Sequence, residues 1–237
     1  MPGPTKLKSH CQYCNEPYET ESFPMPWGMQ PLIFPFCSDD CQEKHIVSCA
    51  EFENERNEFD RKREALSRYE LIVPIGMRET DLSKLPNIRK WIDWEPNDSG
   101  EGLTIIGKTG AGKTRLSYLI LRNLMIEKGL TVEYFRPGQF AVKSHSAWMN
   151  NKIEQMYDDL LNADLVIFDD FGKEKFTETR MMDLFTTVNN RMDSLKPVIF
   201  TTNYYGKELI ARFDDKDFAE PFIRRIRESN RTINLKK

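Results

Sequence analysis

Short apolar runs punctuate the second half of the chain, with longer stretches of helical spacing between them. Leu165-Val-Ile-Phe168 is four apolar residues in a row, the mark of a strand buried on both faces in the middle of a parallel sheet. Leu103-Thr-Ile-Ile106, Leu130 to Phe135 and Pro197 to Phe200 read as further strands, and Arg231 to Leu235 as the last. Between them, Arg115 to Lys128 (closed by Gly129), Gln139 to Met149, Ile153 to Leu161 and Glu178 to Leu195 predict helices. Strand and helix in alternation imply right-handed crossovers and an α/β three-layer parallel sheet. The first half differs. From Gln42 to Glu70 the chain predicts a charged helix whose few apolar residues, Phe52, Phe59, Leu66 and Tyr69, form a thin stripe. Such a stripe suits a solvated connector better than a core. Pro74 and Gly76 end it, and Leu82 to Gly100 reads as turn-rich linker.

Composition narrows the classes. The 237 residues are 39% hydrophobic and 30% charged, with a formal net charge of −3. That is apolar enough for a core, and the balance makes no whole-chain electrostatic case for nucleic acid. No apolar run approaches the roughly 18 residues of a membrane helix, so no membrane contact is expected. Met1-Pro2-Gly3-Pro4 does not open an apolar signal segment, and a cytoplasmic location is the expectation.

All five cysteines, Cys11, Cys14, Cys37, Cys41 and Cys49, fall in the first fifty residues. Cys11-Gln-Tyr-Cys14 puts two thiolates on one tight turn, and Cys37-Ser-Asp-Asp-Cys41 supplies a second pair where a loop enters a helix. Four soft thiolates meet the tetrahedral demand of structural zinc, with His10, His45 and Cys49 near enough to compete for the fourth place. The stretch between the pairs (Pro24, Pro26, Trp27, Pro31, Phe34, Pro35, Phe36) builds no core, so the metal supplies folding free energy. The Phe-Cys-Ser-x-x-Cys second knuckle resembles zinc-ribbon and treble-clef modules, which implies docking of a partner or DNA. A closed four-ligand site has no open position for catalysis. The expected organisation is a zinc module over 1–50, a charged helical linker over 51–75 and the α/β domain over 76–237.

The segment Gly107-Lys108-Thr109-Gly110-Ala111-Gly112-Lys113-Thr114-Arg115 carries the most chemistry. It is a G-x-x-x-x-G-K-T loop between a strand and a helix, the setting in which that pattern cradles phosphates. The glycines let successive N–H groups turn inward, and the helix N-terminus adds its positive end. Lys113 is expected on the β- and γ-phosphates of ATP and the Thr114 hydroxyl on Mg²⁺. Asp169 and Asp170 follow the strand Leu165–Phe168, where α/β sheets place ligands. Asp169 is expected to hold Mg²⁺, and Asp170 to orient or deprotonate water. Asn203, after the next strand, is placed to polarise the same water or touch the γ-phosphate.

Together these residues resemble the AAA+ ATPases of the DnaC/IstB type, which include replicative helicase loaders. The likeness spans about Leu71 to Leu235. It is carried by Gly107–Arg115, by Ala163-Asp-Leu-Val-Ile-Phe-Asp-Asp-Phe-Gly172, by Arg191, and by Thr201-Thr-Asn-Tyr204. The resemblance implies that Asp169 and Asp170 form Walker B, that Asn203 is sensor 1, and that an arginine finger lies in Pro221-Phe-Ile-Arg-Arg-Ile226. Arg225 is its first choice and Arg224 its second. It further implies an ATP-hydrolysing DNA replication protein that self-associates through its ATP sites and loads a replicative helicase onto DNA, with single-stranded DNA as a further partner. The alternatives are the ATPase helper of a transposase and an ATP-assembled, zinc-containing DNA-binding regulator. A small-molecule P-loop kinase is disfavoured because no lid insertion interrupts the strands. Lys143, His145, Lys152, Lys173 and Lys175 could line a DNA channel with Phe171 or Trp148 stacking on bases. Scattered surface lysines with core aromatics explain each of these residues more simply.

Overall fold

Five short strands form one parallel sheet in the computed structural model, which describes residues 5–23, 32–33, 35–85, 87–174 and 178–235. Pro24, Pro26, Trp27, Pro31, Phe34 and Lys175 lie outside the described residues. The chain divides into two compact units, residues 1–60 and 61–237.

In the first unit, β1 (Thr5–His10) and β2 (Pro17–Phe23) pair antiparallel from Thr5↔Ser22 to His10↔Pro17, and β3 (Leu32–Ile33) adds to β2. The β1–β2 turn is closed by Cys11 N–H on Glu16 C=O at 3.0 Å and Asn15 N–H on Cys11 C=O at 2.9 Å. Asn15 adopts the left-handed φ of 58° that asparagine tolerates in such turns. Helix α1 (Asp39–Ile72) starts where the Ser38 hydroxyl accepts the Cys41 N–H at 3.2 Å, with Asp39 and Asp40 against the positive helix end. The expected connector stripe divides. Phe52 and Phe59 are each 67% exposed, whereas Tyr69 is buried in the core of the second unit.

The second unit continues through α2 (Ile75–Arg78), β4 (Gly102–Gly107), α3 (Lys113–Arg122), β5 (Val132–Phe135), α4 (Gln139–Met149) and α5 (Ile153–Asn162). It goes on through β6 (Leu165–Phe168), α6 (Glu178–Asp193), β7 (Val198–Thr202), α7 (Gly206–Ile210), α8 (Lys216–Ser229) and β8 (Asn230–Leu235). The expected helix Arg115–Lys128 begins earlier, at Lys113, and its last turn, Asn123–Glu127, widens to a π-helix. The sheet order is β5-β6-β7-β4-β8, with every neighbouring pair parallel. Side chains alternate along each strand. Leu103, Ile105, Leu165, Ile167 and Ile199 face α3 and the end of α1; Val166, Phe168, Val198 and Phe200 face α4, α5, α6 and α8. This gives the three-layer architecture expected from the pattern.

One expectation is corrected. The stretch Leu82–Trp94 is not linker but core: Ile88 is fully buried, and Leu82, Leu85, Trp91, Ile92 and Trp94 pack against the α3 side of the sheet. Its apolar residues lie on and around two short 3₁₀ turns, Leu82–Lys84 and Arg89–Trp91, which have neither helical nor strand spacing. Among the described residues, no helix is long and apolar enough to cross a membrane.

Candidate nucleotide site and cysteine cluster

β4 ends at Gly107 and α3 begins at Lys113, so the intervening loop lies at the C-terminal edge of the sheet. Gly110 and Gly112 have φ of 83° and 92°, a region that L side chains rarely occupy. A Cβ at Gly112 would in addition stand 3.3 Å from Leu85 Cδ2. The backbone turns back on itself, with Ala111 N–H donating 3.1 Å to Lys108 C=O. Lys108, Thr109 and Gly110 are exposed, and Ala111 is buried. Lys113 is buried too, and its ammonium donates to Gly107 C=O at 2.9 Å and Lys108 C=O at 3.2 Å. Burial pulls the Lys113 pKa down, partly offset by Asp170. Arg115 points elsewhere. Its guanidinium donates to Glu79 C=O at 2.7 Å and Thr80 Oγ1 at 3.2 Å, tying the start of α3 to the segment after α2.

Asp169 meets this loop from β6. The Thr114 hydroxyl lies 3.1 and 3.0 Å from its two carboxylate oxygens, and the Thr201 hydroxyl of β7 donates to Oδ1 at 2.6 Å. Asp169 is buried, which raises its pKa, while the hydrogen bonds from Thr201 and Thr114 work in the other direction. Asp170 follows with φ of 51°, its N–H on Thr201 Oγ1 at 2.8 Å and its carboxylate 2.6 Å from Lys173 Nζ. Asn203, just past β7, has a buried Oδ1 without a hydrogen-bond partner among the described residues. Behind Thr114, Ser117 Oγ donates to Thr114 C=O at 2.9 Å and meets Tyr134 Oη at 3.1 Å.

These observations fit a triphosphate and its metal. Thr114 and Asp169 form a pair of hard oxygen donors of the kind magnesium takes. The orphaned Asn203 amide oxygen is a buried polar group that the described residues leave without a partner. Thr201 entered the sequence reading only as part of the Thr-Thr-Asn run, with no role of its own, and Ser117 and Tyr134 did not enter it.

Residues 62–237 match the family of IstB-like ATP binding proteins. The chain belongs to that family. Its relatives include the chromosomal replication initiator protein DnaA of Acinetobacter baumannii, 30% identical over 108 residues, which are 45% of this chain and 23% of the relative. DnaA of Psychromonas ingrahamii is 29% identical over 119 residues, 48% and 25% of the two chains. The IstB-like chain thus spans about a quarter of the length of these curated relatives. Among solved structures it resembles the DnaC helicase loader, with a TM-score of 0.54 at 24% identity over 65% of this chain and 89% of that one. DnaI gives 0.54 at 19%, covering 70% and 92%. DnaA bound to AMPPCP and single-stranded DNA gives 0.53 at 17%, covering 64% and 45%. The fold is that of the AAA+ P-loop ATPases.

In this IstB-like chain the two candidate finger arginines differ in surroundings. Arg225 donates to Asn189 Oδ1 at 3.0 Å and pairs with Asp193, both on α6. Arg224 is 73% exposed, with Glu228 at 3.8 Å. Of the residues considered for a DNA channel, Lys143 pairs with Glu133 at 2.8 Å and Lys173 with Asp170. Phe171 is buried against Phe168, Phe200 and Phe213, and the Trp148 indole N–H donates to Asp183.

The cysteine cluster lies in the first unit. The Sγ atoms of Cys11, Cys14, Cys37 and Cys41 all fall within 4.8 Å of one another, with Cys14–Cys37 at 3.7 Å and Cys37–Cys41 at 3.4 Å. Four sulfurs each about 2.3 Å from one zinc ion stand about 3.8 Å apart in a tetrahedron, so the cluster fits that ion. Although burial opposes it, the N–H groups of Cys14 and Cys37 bring the Cys11 thiol down to about 6; the neighbouring Cys41 thiol pushes Cys37 up to about 12. Cys49 and His45 stand 3.6 Å apart and are not among the four.

Proposed function

We propose that this IstB-like chain is an ATPase that loads a replicative helicase onto single-stranded DNA. The observation that carries the reading is the meeting of Lys113, Thr114, Asp169, Asp170 and the unsatisfied Asn203 at one edge of the sheet. The family and the DnaC and DnaI folds support it. In this reading the 107–112 amides and Lys113 hold the β- and γ-phosphates of ATP, and Arg115 braces the loop from outside. Thr114 and Asp169 would hold Mg²⁺, which when bound offsets the charge on the phosphoryl oxygens. Asp170 takes the proton of the attacking water as its oxygen bonds to the γ-phosphorus; the bond from that phosphorus to the β-phosphate oxygen breaks, and ADP and phosphate leave. Asn203 orients the water. Arg225 reaches the nucleotide of a neighbouring copy, which requires that it leave Asn189 and Asp193; Arg224 would leave only the exposed Glu228 at 3.8 Å. Residues 1–50, holding zinc through Cys11, Cys14, Cys37 and Cys41, dock the partner; 51–75 connect, and 76–237 turn over ATP.

Nucleotide binding, phosphate release and helicase capture by the full chain test this reading. Lys113→Ala is expected to abolish ATP binding, and Asp170→Asn to keep binding and lose turnover about 10²-fold or more. A replicative helicase should be retained with ATP and released after hydrolysis. Turnover without helicase capture or loading would leave a transposase helper; ATP-dependent assembly without turnover would leave a DNA-binding regulator.

A further inference from the structure

Asp170, the carboxylate given the attacking water, is already engaged. Lys173 Nζ lies 2.6 Å from its Oδ2, and the backbone builds the pairing. Asp170 has φ of 51° and Gly172 of 88°, and Lys173 N–H donates to Asp170 C=O at 3.2 Å, so a tight turn brings both side chains together. The Asp170 N–H is fixed on Thr201, which leaves the side chain as the part free to change partner. The lysine side chain is 41% exposed and that of Asp170 23%, so the pair is partly open to solvent. A half-exposed pair of this kind is held weakly and is readily exchanged.

Lys173 also belongs electrostatically to the phosphate loop. The charges acting on the Lys113 ammonium are those of Asp170, Lys173 and Asp169. Asp170 directly follows Asp169, whose carboxylate meets the Thr114 hydroxyl at 3.0 and 3.1 Å, so the Lys173–Asp170 pair lies next to the phosphate loop's partner, and a γ-phosphate held by that loop would bring further negative charge beside it. A diphosphate would not.

We infer that Lys173 is a latch on Asp170 that responds to the γ-phosphate. With ADP or no nucleotide, its ammonium holds the Asp170 carboxylate in an ion pair. A nucleoside triphosphate draws the ammonium onto a γ-phosphoryl oxygen, and the freed carboxylate then faces the water. Hydrolysis removes the γ-phosphate and the pair closes again. The inference rests on the nucleotide site proposed above and adds a residue that reads triphosphate against diphosphate.

Binding of AMPPCP and of ADP to the full chain, with Mg²⁺, tests it. Lys173→Ala should weaken AMPPCP about tenfold and leave ADP within about twofold, and Lys173→Arg should restore most of the difference. Asp170→Asn releases the lysine in advance, so it should tighten AMPPCP relative to ADP, and the double variant should lose that gain. An unchanged AMPPCP-to-ADP ratio in Lys173→Ala, or equal weakening of both, overturns the latch. A wild-type chain that binds neither nucleotide overturns the nucleotide site itself, and the latch with it.

Discussion

Asp169 is a buried carboxyl group shared by two hydroxyls, a combination that sets desolvation against hydrogen bonding. Burial raises its folded-state pKa above that of the unfolded chain. The sign follows: for such a carboxylate the folded state is penalised once pH exceeds the unfolded value, and the penalty disappears as pH falls and both states are protonated. Asp169→Asn is therefore expected to unfold in urea no earlier than the wild type at pH 7. Any advantage should shrink toward pH 4, and each kcal/mol gained corresponds to about 2–4 °C in Tm for a chain of this size. The same variant should lose Mg²⁺-dependent turnover. A midpoint at pH 7 clearly below wild type would show that the Thr201 and Thr114 hydrogen bonds outweigh desolvation. At this scale the charged and glycine positions of the loop were legible, because their chemistry depends on residue type at fixed spacing. The supporting hydroxyls of Thr201, Ser117 and Tyr134 were not. Each is an ordinary strand or helix residue whose partner lies 17 to 32 residues away.

Arg191 shows how an element is fixed by one side chain. It projects from α6 into the interior and donates to the carbonyls of Leu160, Ala163 (2.9 Å), Asp164 (3.3 Å) and Pro197 (2.9 Å), joining the end of α5 to the entrances of β6 and β7. Burial lowers its pKa to about 10 while Asp164 opposes the shift, so it stays charged at neutral pH. Arg191→Met keeps the apolar stem and strands these carbonyls. It should lower stability by about 3 kcal/mol or more, read as a shift in urea midpoint at constant m. Arg191→Lys should recover little, because a single ammonium cannot span the guanidinium's fork. All five parallel strands were legible as short runs between helical stretches, most plainly β6, whose four residues are all apolar and buried, and least so the edge strand β8, where exposed polar residues interrupt the run. The sequence misled at Leu82–Trp94, where Ile88 and Trp91 are spaced by turns and their burial depends on the sheet they cover.

For the molecule as a whole, the two units depend on different sources of stability. Residues 61–237 bury two apolar layers against a sheet, whereas among the described residues of the first unit only Cys11 and Ser22 are buried. Elemental analysis of the purified chain should give one zinc per chain, and Cys14→Ser should reduce that by at least half. Chelation should open amide exchange in β1 and β2 and leave β4 and β6 protected. A metal-free chain with β1 and β2 protected would remove zinc from the account.

Strand order carries one more consequence. β7 is made after β4 and β6 yet sits between them, and Thr201 on it holds Asp169 in place. A ribosome that has released only the first 197 residues has exported both recognisable signatures and no working pocket. If that clamp is needed to seat a ligand, capture must wait for the late wedge, and a chain cut just ahead of Val198 is expected to keep the signatures and bind nothing.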